Sequence, residues 1–518
     1  QVFLFLRRSA RGDCLSAGIV THTCWRHAGR QCLNIVWLGK SSGLETGEQM
    51  NTQKRSWEDK GFYTMLIWGI VIGFTGLYVS LIFNHNIWTD EAFTLQLLRE
   101  NIGGIIDGTA RDVHPPLYYL YAKLFKVLFG ESLLVQKAAA IVPMTTTLIL
   151  GATVIRKDFG DRASVLFLLF LTCIPCSMEF SVQVRMYSLA LLFVTACGIY
   201  AYRAYTSGGK QNFAVFAVSG VAAAYTHYFA FVSVIIIAGM LLLAILIWKR
   251  QRAAAWCISA AGMVVGYLPW APYFIRQVSS VEQGYWIPEI TGQTVWEYFL
   301  WTFDLELVPG MVFIFLILLK AASTYNTIVI ARDKEQTEIY ALACMLVPAL
   351  TMIAGVAVSS VKTPVYRDQY VFPALGLLAL FFGISMRKAR KGILILVSLF
   401  LLFAGAVQYK ECFRQEYRST CVPQTEAFFE QNLSEEDYII YNWDSFGFIY
   451  ECYFPQERLV YLENFDFAGE FGTVWFLHTE WMPEIDPGVL ESNGLVMEDM
   501  GHYGIEHNEF EIYKIYRN

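Results

Sequence analysis

Two adjacent carboxylates, Asp90 and Glu91, come directly after the first long apolar run of the chain. Bare carboxylates gain nothing from lipid and are costly to bury, so a pair at the mouth of a membrane helix must be held there by function. A second polar stretch, Asp112-Val-His114-Pro-Pro, follows a short distance later. The sequence therefore predicts an enzyme that does chemistry at the membrane surface.

A third candidate is Arg185, at the end of a segment otherwise rich in Leu, Ala, Val and Phe. An arginine there costs at least about 2.5 kcal/mol unless it snorkels or is paired. Its planar guanidinium suits phosphate oxygens, so it is the best candidate for a phosphate ligand. The alternative is a snorkelling anchor.

The elements that must position these residues are membrane helices. Of the 518 residues, 55% are hydrophobic and only 16% are charged, and apolar runs of about 17–23 residues recur, long enough for a hydrocarbon core of about 30 Å. We expect an α-helical polytopic membrane protein with about eleven transmembrane helices. The predicted spans are roughly 63–83, 132–154, 163–180, 184–203, 212–227, 229–247, 254–274, 306–326, 338–358, 369–385 and 392–408.

Positive charge decides the orientation. If the segment 116–130 lies in the interface, as Lys123 and Lys126 favour, the basic loop clusters all fall on one side, which must be the cytoplasm. The polar candidates then share the opposite, extracytoplasmic face: Asp90, Glu91, Asp112, His114, Arg185, Tyr187, His227, Tyr228, Arg276 and Arg367. Residues far apart in the chain are thereby predicted to converge on one surface.

Three regions are expected. Residues 1–49 are rich in Arg and Cys without helical periodicity and are interpreted as a disordered or non-native leader. Residues 50–410 form the transmembrane domain, with a catalytic first outer loop at 84–131. Residues 411–518 carry 22 acidic side chains against 5 basic ones, which predicts a separate extracytoplasmic domain.

The C-terminal region alternates strand-like and helical stretches, which predicts a small α/β domain with a parallel sheet. Its strand-like segments are Asp437–Tyr441, Arg458–Leu462 and Thr473–Leu477. One disulfide among Cys412, Cys421 and Cys452 is an open alternative to free thiols.

Four segments resemble the signature segments of a known group of enzymes: Trp88-Thr-Asp90-Glu91, Asp112-Val-His114-Pro115-Pro116, Val184-Arg185-Met-Tyr187 and Tyr225-Thr-His227-Tyr228. They are similar to those of the GT-C superfamily of membrane glycosyltransferases, which includes the family 39 protein O-mannosyltransferases and the lipid A aminoarabinose transferase. The resemblance covers about residues 60–410 in layout. It implies transfer of a sugar from a polyprenyl-phosphate carrier to an extracytoplasmic acceptor, with inversion and without a nucleotide sugar.

The resemblance also implies roles for single residues. A polyprenyl phosphate is already an anionic leaving group, so the reaction needs a carboxylate that accepts the proton of the attacking hydroxyl and groups that hold the departing phosphate. Asp90 matches the family's catalytic base, with Glu91 beside it. The alternative for the pair is capping of a helix that begins near Ala92. His114 is expected to contact the phosphate or to orient Asp112.

The remaining donor-phosphate and substrate candidates are Tyr187, His227, Tyr228, Arg276 and Arg367. The alternatives are interfacial positions for His227 and Tyr228 and a surface pair of Arg367 with Asp368. Arg276 belongs to an aromatic-rich loop, 275–305, that either closes over the carrier or forms an interfacial belt. The chain has Gln183 where the family often has Glu, which weakens an Arg–carboxylate pairing and leaves Arg185 freer for a ligand.

No nucleotide-binding or zinc motif is present, and no ligand pattern requires a metal, although a divalent cation bridging carboxylate and phosphate is chemically sensible. The expected partners are the donor lipid, a glycan, lipid or protein acceptor and the bilayer, with no nucleic acid. Two rivals stay open: a transporter or flippase for lipid-linked sugars, and a non-catalytic assembly subunit. A transporter is expected to show charges near mid-helix or broken spans.

Overall fold

The structure is a computed structural model. It describes residues 49–84, 86–281, 287–301, 336–361, 363–418, 421–505 and 508–517. The chain divides into two compact units, Gln1–Asp59 and Lys60–Asn518, and the predicted site residues all lie in the second. The leader predicted at 1–49, apart from residue 49, and the span predicted at 306–326 lie outside the described residues.

The membrane part is built from helices, and the strands of the described residues all lie in the C-terminal region. In chain order they are α1 (Gln49–Ser80), α2 (Thr89–Leu97), α3 (Ile102–Arg111), α4 (Leu117–Phe129), α5 (Leu133–Phe159), α6 (Asp161–Cys173), α7 (Pro175–Val182), α8 (Tyr187–Thr206), α9 (Lys210–Ala224), α10 (Tyr228–Trp248), α11 (Ala253–Tyr267), α12 (Ala271–Val281), α13 (Gly292–Trp301), α14 (Gln336–Val361), α15 (Leu375–Met386) and α16 (Lys391–Arg418). A 3-10 turn, Asp368–Ala374, leads into α15.

Seven helices in the described part of the chain are long and apolar enough to cross a membrane, and two bent pairs raise the number to as many as nine. One pair joins α6 to α7 and bends by 77°; the other joins α11 to α12 and bends by 66°. The membrane fold is therefore as predicted, whereas the count of about eleven spans is not confirmed. The predicted span 212–227 is a helix of only 15 residues.

The segment 116–130 forms the short helix α4. Its 13 residues extend about 20 Å at about 1.5 Å per residue, which is less than a hydrocarbon core of about 30 Å. The Leu117 backbone N–H donates to the Tyr225 carbonyl at 2.9 Å, and Lys123 Nζ donates to the Leu98 carbonyl at 2.7 Å. The length and these contacts agree with a helix that lies in the interface.

Helix α8 lies at the centre of the membrane part, against α5, α9, α10 and α15. Its approach to α15 is close, because a Cβ added at Gly376 would lie 1.9 Å from Thr195 Oγ1. Glycine at this position lets the two helices touch. The packing fixes α8, whose first residues follow Arg185 directly.

The basic loop clusters contact one another at one end of the helices. Arg203 binds Asp158 through two hydrogen bonds of 2.7 and 3.0 Å. Lys249 Nζ donates to the Tyr205 carbonyl at 3.0 Å. These contacts bring together loops that the charge pattern assigns to one side.

The C-terminal region contains α17 (Cys421–Asn432), β1 (Tyr438–Tyr441), α18 (Gly447–Tyr453), β2 (Leu459–Tyr461), β3 (Val474–His478), α19 (Pro487–Ser492), β4 (Leu495–Ile505) and β5 (Asn508–Arg517). The sheet order is β2-β1-β3-β5-β4. The predicted parallel layout holds for β2, β1 and β3, but it is wrong for the whole sheet, because β5 pairs antiparallel with both β3 and β4. The alternative of a disulfide is also wrong, since no disulfide joins any two of Cys412, Cys421 and Cys452.

The C-terminal domain rests on α2. Gln96 Nε2 donates to Glu451 Oε2 at 2.7 Å, and Arg99 donates to the Glu451 carbonyl at 2.9 Å. Ile87 and Ala92 belong to the same hydrophobic cluster as residues of β1 and α18. The domain is therefore attached to the helix that begins at the acidic pair.

Candidate active site

The first turn of α2 carries both carboxylates. Trp88 is its N-cap, with extended backbone angles, and its N–H donates to Glu91 Oε2 at 3.0 Å. The capping alternative is thus correct for Glu91 and not for Asp90, and the helix begins at Thr89 instead of near Ala92. A carboxylate at this position also suits the positive end of the helix dipole.

Glu91 also reaches the segment that carries Arg185. Its Oε1 accepts the Val184 backbone N–H at 2.6 Å, and the residue is only 2% exposed. A buried carboxylate is stable only when its oxygens are hydrogen-bonded, and here each oxygen accepts one backbone N–H. Glu91 therefore joins α2 to the loop between α7 and α8.

Arg185 completes this connection from the other side. It is 3% exposed, and Nη1 donates to the Asp90 carbonyl at 3.0 Å. The same nitrogen is 3.4 Å from both Thr94 Oγ1 and Tyr119 Oη. Nη2 lies 3.6 Å from Asp90 Oδ2. The snorkelling alternative is wrong, because the guanidinium is buried against α2.

Asp90 differs from its neighbour in being open. Its side chain is 60% exposed although one oxygen lies beside Arg185. A carboxylate that is both held by an arginine and accessible can take a proton from a group that approaches from outside. This is the geometry that a general base requires.

The expectation drawn from Gln183 is wrong. Gln183 donates to Glu179 Oε1 at 2.8 Å, and Arg185 takes its carboxylate partner from Asp90 instead of from its own segment. The guanidinium is therefore less free than the sequence indicates. Its Nε is buried and has no hydrogen-bond partner within the described part of the chain.

His114 and Asp112 form a second polar pair, as one of the predicted roles requires. His114 Nδ1 is 2.7 Å from Asp112 Oδ2. Burial alone raises the pKa of Asp112, but His114 and, more weakly, Arg185 lower it, and the net pKa lies below the usual value. The pair orients the imidazole so that Nε2 is left for another partner.

His227 caps helix α10. Its Nδ1 accepts the Phe229 N–H at 3.1 Å, which leaves the proton of a neutral ring on Nε2. Burial, together with the positive charges of His114 and Arg185, lowers the pKa of His227 well below the usual value. His227, His114 and Arg185 are therefore close enough to influence one another electrostatically.

Tyr228, next to His227, is held by a residue that the sequence analysis did not single out. Its hydroxyl donates to Gln277 Oε1 and accepts from Trp270 Nε1 at 3.1 Å. Gln277 Nε2 donates to the carbonyls of Thr109 and Asp112. Gln277 thus links α12 to the end of α3, just before His114.

An apolar cavity of about 260 Å³ begins at these histidines. Its walls come from α10, α12, α14 and the segment before α15, and its polar members are His114, His227, Tyr228, Gln277, Thr363 and Tyr370. Tyr370 packs edge-on against His227, with ring centroids 5.0 Å apart. A largely apolar pocket with a few polar groups in its lining suits an amphiphile such as a lipid phosphate.

Tyr187 lies between the two polar regions. Its ring is 5.8 Å from that of His227, and its hydroxyl accepts Gln369 Nε2 at 3.3 Å. This contact places the Gln369 amide against a predicted site residue.

The two remaining candidates lie at the margin. Arg276 is exposed, with its guanidinium 6.0 Å from the centre of the Tyr273 ring. Arg367 Nε lies 3.7 Å from Asp368 Oδ1, which agrees with the surface pair that was the alternative. Neither lines the apolar cavity, and substrate binding by them stays a prediction.

Gln277 was missed because nothing in its spacing marks it, and Tyr119, close after His114, was given no role. Thr94 was missed although it follows Asp90 by one helical turn, a signal that could have identified it as a contact on the same face. Within the described ranges, no three His, Cys, Asp or Glu side chains are arranged to hold a metal ion.

Comparison with known proteins identifies the fold. No protein-family model and no curated protein matches the sequence. The crystal structure of ArnT from Cupriavidus metallidurans in the apo state matches with a TM-score of 0.59 at 12% identity, covering 88% of this chain and 98% of that one. The structure of the same protein bound to undecaprenyl phosphate gives 0.58 at 11% identity, covering 87% and 97%. The predicted GT-C-type fold is confirmed.

Proposed function

We propose that this protein is an integral membrane glycosyltransferase that moves a sugar from a polyprenyl-phosphate carrier to a hydroxyl or amine of an extracytoplasmic acceptor. The observation that carries the proposal is the open carboxylate of Asp90 held against buried Arg185. The proposed location of the protein is the plasma membrane, with the site and the C-terminal domain on the extracytoplasmic side. This orientation follows from the distribution of basic loops.

The proposed chemistry is a single displacement. Asp90 accepts the proton of the acceptor as its oxygen or nitrogen bonds to the anomeric carbon. The bond from that carbon to the phosphate oxygen breaks on the opposite face, and the electron pair leaves with the phosphate. Attack and departure on opposite faces invert the anomeric centre. A base with these contacts contributes typically about 10²–10⁴ in rate.

The departing phosphate needs donors that do not have to rearrange. His114 offers Nε2 while Asp112 holds its other nitrogen. His227 offers Nε2 while Nδ1 caps α10. Arg185 is buried beside Asp90, so it contributes a positive charge near the phosphate instead of an accessible N–H donor. We assign these three residues to the phosphate, and Glu91 to holding Asp90 and Arg185 together.

The apolar cavity is the proposed seat of the carrier's first isoprene units. It joins the two histidines and is lined by Val, Phe and Ala side chains on its far walls. A structure of the same fold has been solved with undecaprenyl phosphate, which supports a lipid of this class. An apolar wall beside phosphate donors fits a polyprenyl phosphate better than it fits a nucleotide sugar.

A transporter for lipid-linked sugars stays a second candidate, because the two bent helix pairs are the kind of broken span that transporters use. The carboxylate at Asp90 distinguishes the two. A transporter makes and breaks no covalent bond of the sugar, so loss of the Asp90 carboxylate abolishes formation of a new glycosidic product only in a transferase.

The test is mass analysis of surface glycans and lipids from cells that express the wild type, Asp90→Asn, or Asp107→Asn as a control on the exposed face of α3. We expect one sugar-bearing product with the wild type and the control and none with Asp90→Asn. The same product from Asp90→Asn at equal protein level would overturn the proposed chemistry.

A further inference from the structure

Lys137, in the first turns of α5, is a buried cation that the proposed reaction does not use. It is 3% exposed, although lysine is almost never fully buried without partners. Its Nζ donates to Asn84 Oδ1 at 2.5 Å and to the Asn86 carbonyl at 2.8 Å. A membrane helix that retains a lysine so deep in the protein points to a function for it.

Both acceptors belong to the segment that enters the catalytic turn. Asn84 Oδ1 also accepts the Asn86 N–H at 3.0 Å, and Asn84 Nδ2 donates to the Leu81 carbonyl at 2.6 Å. The segment is thereby fixed at the end of α1 and at Asn86. Asp90 follows only four residues after Asn86.

The far side of the same turn is fixed independently. Trp88 N–H and Val184 N–H donate to Glu91, and the Asp90 carbonyl accepts Arg185. The turn therefore has one support on α5 and another on the loop before α8. Without Lys137, Asn84 and Asn86 lose the contact that fixes the position at which the turn begins.

We propose that Lys137 is a positioning residue that sets the place of Asp90 by holding Asn84 and Asn86. The inference rests on the proposed function, in which Asp90 is the base. Lys137 acts through Asn84 and Asn86 and does not touch the substrate. A general base misplaced by about 1 Å can lose on the order of 100-fold in rate.

A positioning role and a merely structural role give different kinetics. The cavity and the two histidines lie on other elements, so donor binding does not depend on the segment 84–86. Loss of Lys137 is expected to lower kcat by tenfold or more while the donor KM changes less than threefold. A structural role would lower the amount of folded protein and leave the kcat of the folded fraction unchanged.

The kinetic test compares Lys137→Met with Lys126→Met in purified full-length protein. Methionine retains the unbranched chain and removes the donor. Lys126, on α4, is a matched control, because its Nζ lies 3.1 Å from the carboxylate of the exposed residue Glu131. We expect the loss of kcat only in Lys137→Met. Equal kcat in the two variants would overturn the proposal.

Variants of Asn84 remove the partner instead of the lysine. Asn84→Asp retains the acceptor for Lys137 but loses the donor to the Leu81 carbonyl, so it is expected to keep more of kcat than Asn84→Leu, which is expected to match Lys137→Met. The double variant Asn84→Leu/Lys137→Met should be no slower than either single one, because both remove the same contact. Losses of kcat that add in the double variant would contradict the coupling between Asn84 and Lys137. These losses remain measurable if one of the variants folds poorly.

Hydrogen exchange separates this inference from the proposed function, since it needs no activity. In Lys137→Met we expect faster exchange of the amides at 86–92 and unchanged exchange along α10. Unchanged exchange at 86–92 would reject the positioning role even in an active transferase. Faster exchange at 86–92 in Lys137→Met, from a protein that shows no transfer activity, would support the positioning contact of Lys137 and reject the proposed transfer reaction.

Discussion

Asp90 and Glu91 are neighbours in sequence with opposite environments. The Asp90 side chain is 60% exposed, while Glu91 is 2% exposed and accepts two backbone N–H groups. The exposed carboxylate can exchange a proton with an acceptor, and the buried one cannot without losing its hydrogen bonds. We therefore separate the two residues that the sequence presents as an equivalent pair.

Glu91→Gln tests this separation. Glutamine has one acceptor oxygen, so one of the N–H groups of Trp88 and Val184 loses its partner, which costs about 1–3 kcal/mol of stability. We expect a lower unfolding temperature together with reduced transfer, measured on purified protein. Glu100→Gln, on an exposed residue, is the control. An unfolding temperature equal to that of the wild type would show that Glu91 does not join the two segments.

Candidate site residues could be recognised from the sequence where the type of side chain is unusual for its position in the chain. A carboxylate beside an apolar run, or an arginine at the end of one, is costly and so can be recognised. Thr94, Tyr119 and Gln277 are ordinary in membrane helices and acquire their contacts only from the tertiary fold. Arg185 and Asp90 were each recognised, but the sequence did not predict that they pair across 95 positions.

At the scale of elements, the N-terminus of α10 contributes a titratable cap. His227 accepts the Phe229 N–H while buried, and its pKa is lowered by burial, His114 and Arg185. A depressed pKa in the fold means that the unfolded chain binds the proton more readily. The stability is present above the unfolded value of about 6.5 and decreases as the pH falls below it.

His227→Asn is expected to reduce this acid sensitivity, because asparagine is a good N-cap that does not titrate. Between pH 7.5 and 5.5, the wild type should lose about 1 kcal/mol more stability than the variant. Thermal unfolding at the two pH values measures the difference. An identical pH dependence in both proteins would mean that His227 is not buried in its neutral form.

Helix α12 is attached to the site through Gln277. Gln277→Leu leaves the carbonyls of Thr109 and Asp112 and the Tyr228 hydroxyl without this partner. We expect the donor KM to rise about tenfold or more, equivalent to about 1.4 kcal/mol, with a smaller change in kcat. Ser279→Ala, at an exposed residue of the same helix, is the control. A pure kcat effect would place Gln277 in the chemical step instead.

At the scale of the whole molecule, the charge pattern and the contacts agree on which loops share an end. The basic loops meet through Arg203–Asp158 and Lys249–Tyr205, and the acidic domain rests on α2. The sequence predicted this grouping because each basic cluster follows a span of recognisable length.

The C-terminal sheet was predicted less well. β1, β2 and β3 are short and apolar and were recognised, whereas the longer β4 and β5 were not. In β4 the register shifts between Asp499 and His502, which obscures the alternation by which strands are found. In β5 Glu509, Phe510, Glu511 and Ile512 do alternate, and this signal could have identified the strand.

Sidedness is tested by labelling single cysteines in intact cells with an impermeant maleimide, after the native cysteines have been replaced. We expect Asp107→Cys and Glu498→Cys to react from outside, and Lys157→Cys to react only after the membrane is opened; all three positions are exposed. Reaction of positions 107 and 157 from the same side would reverse the orientation.

The most direct measurement follows the release of undecaprenyl phosphate from undecaprenyl-phosphate monosaccharides by the purified protein in the presence of a membrane extract as acceptor source. We expect release of undecaprenyl phosphate with the wild type and with Asp107→Asn. With Asp90→Asn we expect the rate of release to fall by a factor of about 10²–10⁴. Release by Asp90→Asn at the wild-type rate, from folded protein, would contradict the proposed reaction.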